Sequence, residues 1–355
     1  MYFQDKTILV TGGTGSMGQT FVHRVLKGEL GVPKKIIVLS RDEAKQHSMR
    51  VKYQVSQNST DESIYRNFLN TLEFRIGDVR NYADVCAAVK NADIVVNAAA
   101  LKQVPTCEYF PLQAIMTNCE GAANIVRAIS EHSYPVQTVI GISTDKACKP
   151  VNTMGMTKAL QERIFISANV LNAKTRFLCV RYGNVLASRG SVIPLFHEQI
   201  RNNGPVTITD ERMTRFLLTL NQAVDTVFAA LQTGKPGEIF IPRAPASRMT
   251  DVAKALIADK KIELKVTGIR PGEKMYEIMI SDEEAPYVVG RGNYFVIQSM
   301  LPELEQHREK SNSAKLTKEY SSDDQVLDFQ GTQKLLKDNN LLEIRPGSAQ
   351  EELLC

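Results

Sequence analysis

Residues 143–158 read STDKACKPVNTMGMTK, and the fold is decided by what stands on either side of them. Residues 138–142, TVIGI, make a short apolar run of strand length, and Lys158 opens the helical pattern KALQERIFISANVL. A buried strand, a polar turn and a helix in succession form the repeating unit of an α/β protein. Thr144, Asp145 and Lys146 then fall just past the carboxyl end of a strand, where open parallel sheets put their reacting groups. A hydroxyl, an acid and a cation side by side are a compact set for proton transfer. The same residue types also suit a plain helix cap, so the neighbouring stretches have to decide.

The unit recurs toward the amino end. Residues 6–10, KTILV, lead into TGGTGSMG at 11–18 and then the helical pattern QTFVHRVLKG. Gly13, Gly15 and Gly18 fit G-x-G-x-x-G, and Gly12, Gly15 and Gly18 fit G-x-x-G-x-x-G. Such glycines let backbone approach a pyrophosphate resting on a helix N-terminus. Gly12, Thr14, Gly15, Ser16, Met17 and Gly18 are therefore candidate cofactor contacts. The second run, residues 35–39, ends in Ser40-Arg41-Asp42. An NAD site usually carries an acid about 20 residues after the glycines, whereas an Arg there accommodates a 2′-phosphate. Ser40 and Arg41 come first, so NADP is expected in preference to NAD.

Residues 56–67 are polar and read as a surface excursion. Residues 72–76 form a third strand followed by Gly77-Asp78-Val79-Arg80; Asp78 and Val79 would flank an adenine, or Asp78 would cap the helix NYADVCAAVK. Residues 93–97 are a fourth strand, and the small Ala98 and Ala99 after it let chain and cofactor pass closely. Lys102 follows at a strand end and is a candidate substrate contact. Asn118, in the next helix, is placed either to bond backbone of the central sheet or to face water. Residues 176–182 make a sixth strand ending in Gly183-Asn184-Val185.

Strand and helix alternate through residue 182, which means a doubly wound parallel sheet. Beyond it, residues 190–196, 205–209 and 213–216 are short pieces of a smaller substrate lobe over the sheet's carboxyl edge. Domains are expected at 1–182 (dinucleotide-binding, interleaved with the lobe later in the chain), 183–302 (substrate lobe) and 303–355 (a mobile polar tail with a short helix at 331–337). The loop GIRPGEK at 268–274 and Arg215 offer cations for a diphosphate.

A net charge of +4 without a Lys/Arg block gives no case for nucleic acid. Cys86, Cys107, Cys119, Cys148, Cys179 and Cys355 contain no CxxC pair, so neither a zinc site nor a disulfide framework is indicated, and reduced thiols in the cytoplasm are expected. No apolar run nears the roughly 20 residues of a membrane span.

Taken together, TGGTGSMG, GDVRN, NAAALKQVP, STDKA, MGMTK, RYGNV and IRPGEK resemble the extended short-chain dehydrogenase/reductase superfamily with its Rossmann-type NAD(P)-binding fold. Within it, the chain is similar to nucleotide-sugar 4,6-dehydratases of polysaccharide biosynthesis, especially the soluble C5-inverting capsule and O-antigen enzymes of the CapE and FnlA type. The resemblance implies a homo-oligomeric lyase acting on UDP-N-acetylglucosamine. Bound NADP would take a hydride from sugar C4 and return it to C6 after loss of water. It also implies Lys146 as base, Asp145 as acid at the C6 hydroxyl and Thr144 orienting the sugar. Lys158 would hold the nicotinamide ribose, and Asn184, Val192, Arg215, Arg270 and Glu273 would contact UDP and sugar. As base, Lys146 would need its pKa lowered by burial and nearby cations. One departure stands out: the superfamily's Tyr-x-x-x-Lys is here Met154-Gly-Met-Thr-Lys158, which leaves position 154 unable to exchange a proton. Other readings are a C5-retaining dehydratase, a UDP-sugar epimerase or reductase, and a non-catalytic NADP-binding regulator.

Overall fold

The computed structural model describes residues 1–55, 62–186, 191–309 and 316–343. Nine strands form the main sheet: β1 Thr7–Thr11, β2 Lys35–Ser40, β3 Leu72–Ile76, β4 Ile94–Asn97, β5 Thr138–Thr144, β6 Arg176–Tyr182, β7 Ile239–Pro242, β8 Val288–Arg291 and β9 Tyr294–Ile297. Their spatial order is β8-β9-β7-β6-β5-β4-β1-β2-β3. The strands from β3 to β7 run parallel; β9 pairs antiparallel with both β7 and β8. The chain leaves β1 for β2 on one side and reaches β4 on the other, so order reverses at β1 and a crevice opens above its carboxyl end.

The sheet is buried on both faces, which is why its strands read as continuous apolar runs. Ile8, Val10, Ile36, Val38, Ile94 and Val96 face one core, shared with helix α1 (Ser16–Leu26). The alternating residues Leu9, Ile37, Leu39 and Val95 face the other, under helices α2 (Tyr82–Val89), α3 (Gly121–His132) and α4 (Thr153–Leu171). The period-two alternation of a strand sends neighbouring side chains to opposite faces. A third core holds Ile193, Phe196, Val252 and Leu256, from helices α5 (Val192–Arg201) and α6 (Met249–Ile257), together with Leu336 from helix α7 (Phe329–Asp338).

Several elements differ from the expectation. Helix α4 starts at Thr153, not Lys158, because the Asn152 side chain caps it by accepting from Gly155 N at 2.8 Å. Residues 192–201 form one helix rather than short pieces. The polar stretch at 56–67 lies partly outside the described residues, and from Glu62 it is helical to Thr71. The described part of the tail is folded: Tyr320–Ser321 pairs antiparallel with Ile278–Ile280, Ser322 is fully buried, and Thr332 Oγ1 donates to Ser247 Oγ at 2.9 Å. Among the described residues no helix is long and apolar enough to cross a membrane, and no cluster could hold a metal ion.

Beneath the carboxyl ends of β5 and β6, the buried Arg181 guanidinium joins Glu162 of α4 to Glu284. It reaches Glu162 Oε2 at 2.7 Å and Glu284 Oε2 at 2.8 Å, and it also donates to the Met279 carbonyl. Breaking such a group from one side leaves buried charge without compensation. Arg181→Met should therefore destabilise the protein by about 3–5 kcal/mol, read as a lower urea midpoint. A midpoint equal to wild type would contradict the role given to this charge group.

Candidate functional site

The glycine turn lies where β1 enters α1. Gly12 has φ +64, and a Cβ there would stand 2.7 Å from the Ala99 Cα and amide nitrogen. A Cβ at Gly18 would stand 2.5 Å from Gly13 Cα. Only glycine allows the turn to press so closely on the β4 exit and on itself. Gly15 caps α1 without a side-chain bond, and no acid sits in the first turn, so the amides of Ser16 and Met17 open the helix free of a competing anion. That is the setting a pyrophosphate needs. Thr14 is buried, with its Oγ1 3.0 Å from Ser40 Oγ.

Asp78 lies beside this turn's outer wall. Its carboxylate accepts from Arg80 Nη2 at 2.6 Å and lies 3.6 Å from Arg41 Nη1. Burial alone would raise its pKa, but the Arg80 bonds outweigh burial and hold it below the usual value. The α2 cap is Asn81, not Asp78: Asn81 Oδ1 accepts from Ala83 N at 2.9 Å. Val79 is buried in the core against Gly121. Asn118 is fully buried in a π-helical turn, Ile115–Glu120, and bonds backbone rather than water. It accepts from Leu101 N at 2.8 Å and donates to the Leu101 carbonyl and to Thr157 Oγ1.

At the end of β5 the chain turns into a short 3-10 segment, Asp145–Ala147, and three distant parts converge on Lys146. Its Nζ lies 3.0 Å from Asp145 Oδ1, 3.2 Å from Glu277 Oε1 and 3.2 Å from Asn184 Oδ1. Thr144 Oγ1 donates to Asp145 Oδ1 at 2.9 Å. Asp145 is fully buried; its Oδ2, against Gly183, has no hydrogen-bond partner, and neither does Glu277 Oε2. Sequence reasoning missed Glu277. It sits three residues after Lys274, at the head of the apolar run IMI, and nothing local marks it as more than a strand entry.

The electrostatics differ from the expectation for Lys146. Burial opposes its charge, but Asp145 and Glu277 outweigh burial and raise its pKa. In this state the lysine is an ammonium ion, not the neutral amine anticipated. Asp145 shifts up, chiefly because burial disfavours its charge and also because Glu277 is near. Glu277 stays ionised: burial opposes it, but Lys146, Arg215 and Lys274 prevail.

The other candidates divide. Arg215 Nε stands 3.8 Å from Glu277 Oε1, and its remaining donors go to the carbonyls of Thr214, Lys274 and Met275. Lys274 Nζ donates to the Cys148 carbonyl at 2.7 Å. Asn152, the α4 cap, donates to the Gly272 carbonyl and so docks the 268–274 loop against the helix. Arg270 and Lys102 are exposed, and Glu273 is half-buried in the loop's turn. Val192 opens α5 and packs on the third core. Met154 is buried with Cys107 and Ala114, and Leu101 and Val104 pack against them. Lys158 Nζ donates to the Ile142 carbonyl and to Gln161 Oε1.

The family model described as "Polysaccharide biosynthesis protein" matches residues 8–299. A UDP-glucose 4-epimerase of Rickettsia bellii is 46% identical over 300 residues, 83% of either chain. The protein of that name from Rickettsia felis is 45% identical over the same length and share. The solved structure of Pen from Bacillus thuringiensis is 33% identical, with a TM-score of 0.85 over 96% of this chain and 100% of its own. The dTDP-glucose 4,6-dehydratase DesIV from Streptomyces venezuelae, solved with NAD and TYD bound, has a TM-score of 0.63 at 18% identity, over 76% and 86% of the two chains. At that identity the likeness bears on the fold alone.

Burial lowers the Lys158 pKa from the ordinary 10.5 to about 8. Between those values the unfolded chain binds a proton that the folded chain lacks, so stability from this group rises with pH across that window. The stability of wild type relative to Lys158→Met should therefore grow between pH 8 and pH 10 in denaturant titrations of the protein without ligand. A pH-independent difference would show that the amine is not desolvated.

Proposed function

The chain belongs to the polysaccharide biosynthesis protein family, and from that premise we propose that it is a nucleotide-sugar 4,6-dehydratase. Its substrate in this reading is UDP-N-acetylglucosamine, and its product is a UDP-2-acetamido-2,6-dideoxy-4-hexulose formed with inversion at C5. The observation that carries the reading is the pair of buried Asp145 and part-buried Lys146 at the end of β5, combined with Met154 where a proton-exchanging tyrosine would stand. An exchange of configuration at C4 needs one base for one hydroxyl. Removing water across C5 and C6 needs an acid and a base that act together, and the pair supplies both.

Bound at the glycine turn, NADP would accept hydride from C4 and give it back at C6. Every other step is proton traffic on this chain, and it begins with the C4 hydroxyl proton, which passes to a group in contact with the Asp145–Lys146 pair when the hydride leaves. Moving one proton across the 3.0 Å contact from Lys146 to Asp145 turns an ion pair into an amine and a carboxylic acid, the two forms elimination requires. The amine takes the C5 proton, and the acid gives its proton to the C6 oxygen, which leaves as water. The Lys146 ammonium then returns a proton to C5. In this reading Asp145 Oδ2, which is buried without a hydrogen-bond partner, is the oxygen that serves the C6 hydroxyl. Asn184 holds Lys146 by accepting a hydrogen bond from its Nζ at 3.2 Å. Arg41, half-exposed beside Asp78, is assigned to the cofactor's 2′-phosphate.

The Rickettsia relatives' name favours the second reading, a UDP-sugar 4-epimerase. Incubation with UDP-N-acetylglucosamine separates the two: a dehydratase product is lighter by one water and leaves no lasting NADPH absorbance, whereas an epimerase product keeps its mass. Proton NMR of the product then reads C5, with the L-arabino configuration expected and D-xylo excluding inversion.

Lys146→Ala should lower turnover by roughly 10²–10⁴ while NADP and UDP still bind. Met154→Leu keeps volume and apolarity and should lose far less. A dead Met154→Leu enzyme beside an active Lys146→Ala enzyme would reverse the assignment. Arg41→Ala should weaken NADP binding much more than NAD binding in titrations; equal losses would remove the 2′-phosphate role.

A further inference from the structure

The proton count in the proposed reaction exceeds what Asp145 and Lys146 can hold. The resting pair shares one proton. Oxidation at C4 releases the hydroxyl proton, which makes two and fills both groups. The C5 proton then has no seat, because Met154 cannot take one. A third titratable group in contact with the pair resolves the count, and the protein has one.

Resting on the dehydratase reading above, we propose that Glu277 is a positioning residue that sets the protonation of Lys146: as a carboxylate it holds the ammonium, and by accepting a proton it frees the amine to act on C5. Glu277 is 2% exposed, its Oε1 lies 3.2 Å from Lys146 Nζ, and its Oε2 is buried with no partner. It comes from the segment leading into Ile278–Ile280, 131 residues from the lysine in the chain. With three sites the count closes. The cluster begins with one proton, gains one from the C4 hydroxyl and one from C5, gives one to the departing C6 oxygen and one back to C5, and ends with one.

The charged and titratable groups around Lys146 are Asp145 on its own turn, Glu277, Arg215 from Thr214–Leu218, and Lys274 from the 268–274 loop. The Cys148 thiol adjoins Lys274, and burial pushes it up to about 12, so it is neutral. Arg215 and Lys274 oppose the lysine's charge; only the two acids favour it. When Asp145 carries a proton, Glu277 is the one remaining anion against the ammonium.

The test is competitive acetylation of amines with trace acetic anhydride at a fixed neutral pH, with Lys146 read by mass spectrometry against the exposed lysines. It uses the full chain with NADP and no sugar, so it does not depend on turnover. An opposite charge at this range is worth roughly one to three pKa units. Glu277→Gln should therefore raise Lys146 labelling at least about tenfold, and Glu277→Asp, with a shorter reach, should raise it by less. Labelling that rises in neither variant overturns the proposal; if the Gln variant does not fold, the Asp variant decides. With UDP-N-acetylglucosamine, kcat of Glu277→Gln should fall by roughly 10² with KM little changed, and its acid limb should move to lower pH. An unchanged kcat overturns the relay. Wild type that yields no dehydrated product instead removes the reading beneath it and leaves the labelling result standing.

Discussion

One buried guanidinium carries the architecture of the site. Arg181, at the end of β6, binds Glu162 on one side and Glu284 on the other, and also takes up the Met279 carbonyl. Glu162 belongs to α4, the helix that presents Met154 and Lys158. Glu284 and Met279 belong to the segment that follows Glu277. A single cation therefore locks two otherwise independent pieces of chain onto the sheet, one on each side of the β5 turn. Three charges taken out of water are costly unless each is matched, and here the geometry matches them. The Lys146 cluster has its shape because this base holds.

The sheet was readable from residue types. Runs such as KTILV, KIIVL and TVIGI are apolar without alternation, which is what strands buried on both faces require. Asp145 and Lys146 were readable too, since a strand end before a helix is a positional statement. The start of α4 was misjudged because Met-Gly-Met-Thr shows no helical period, although Asn152 was the cap signal. The tail was misjudged for a different reason. Its polar composition suggested mobility, but a few buried residues, Ser322, Thr332 and Leu336, fasten it to the lobe.

Glu277 and the charge of Lys146 were not readable at all, and the two failures are one. An acid at the head of a short strand has no local mark of function. Its meaning comes from a contact 131 residues away in the chain, and the pKa of the lysine follows from that contact. The role of base called for burial and nearby cations to push the proton off Lys146. The fold sets two carboxylates 3.0 and 3.2 Å from its Nζ, and their pull outweighs burial and Arg215, so the sign reverses. Charge state is a property of three-dimensional neighbours, and residue spacing carries little of it.

The buried Asn118 amide has a consequence for motion. Its side chain closes both hydrogen bonds of Leu101 and adds a third to Thr157 of α4. The stretch that leaves β4 toward Lys102 is thus fastened to the Met154 helix by this amide, beside the packing of Met154 on Leu101, Val104 and Cys107 and the bond from Thr153 N to Glu108. Loosening that fastening frees the Leu101 N–H for solvent exchange. The exchange rate of that one backbone proton therefore reads how firmly the end of β4 is held to the Met154 helix.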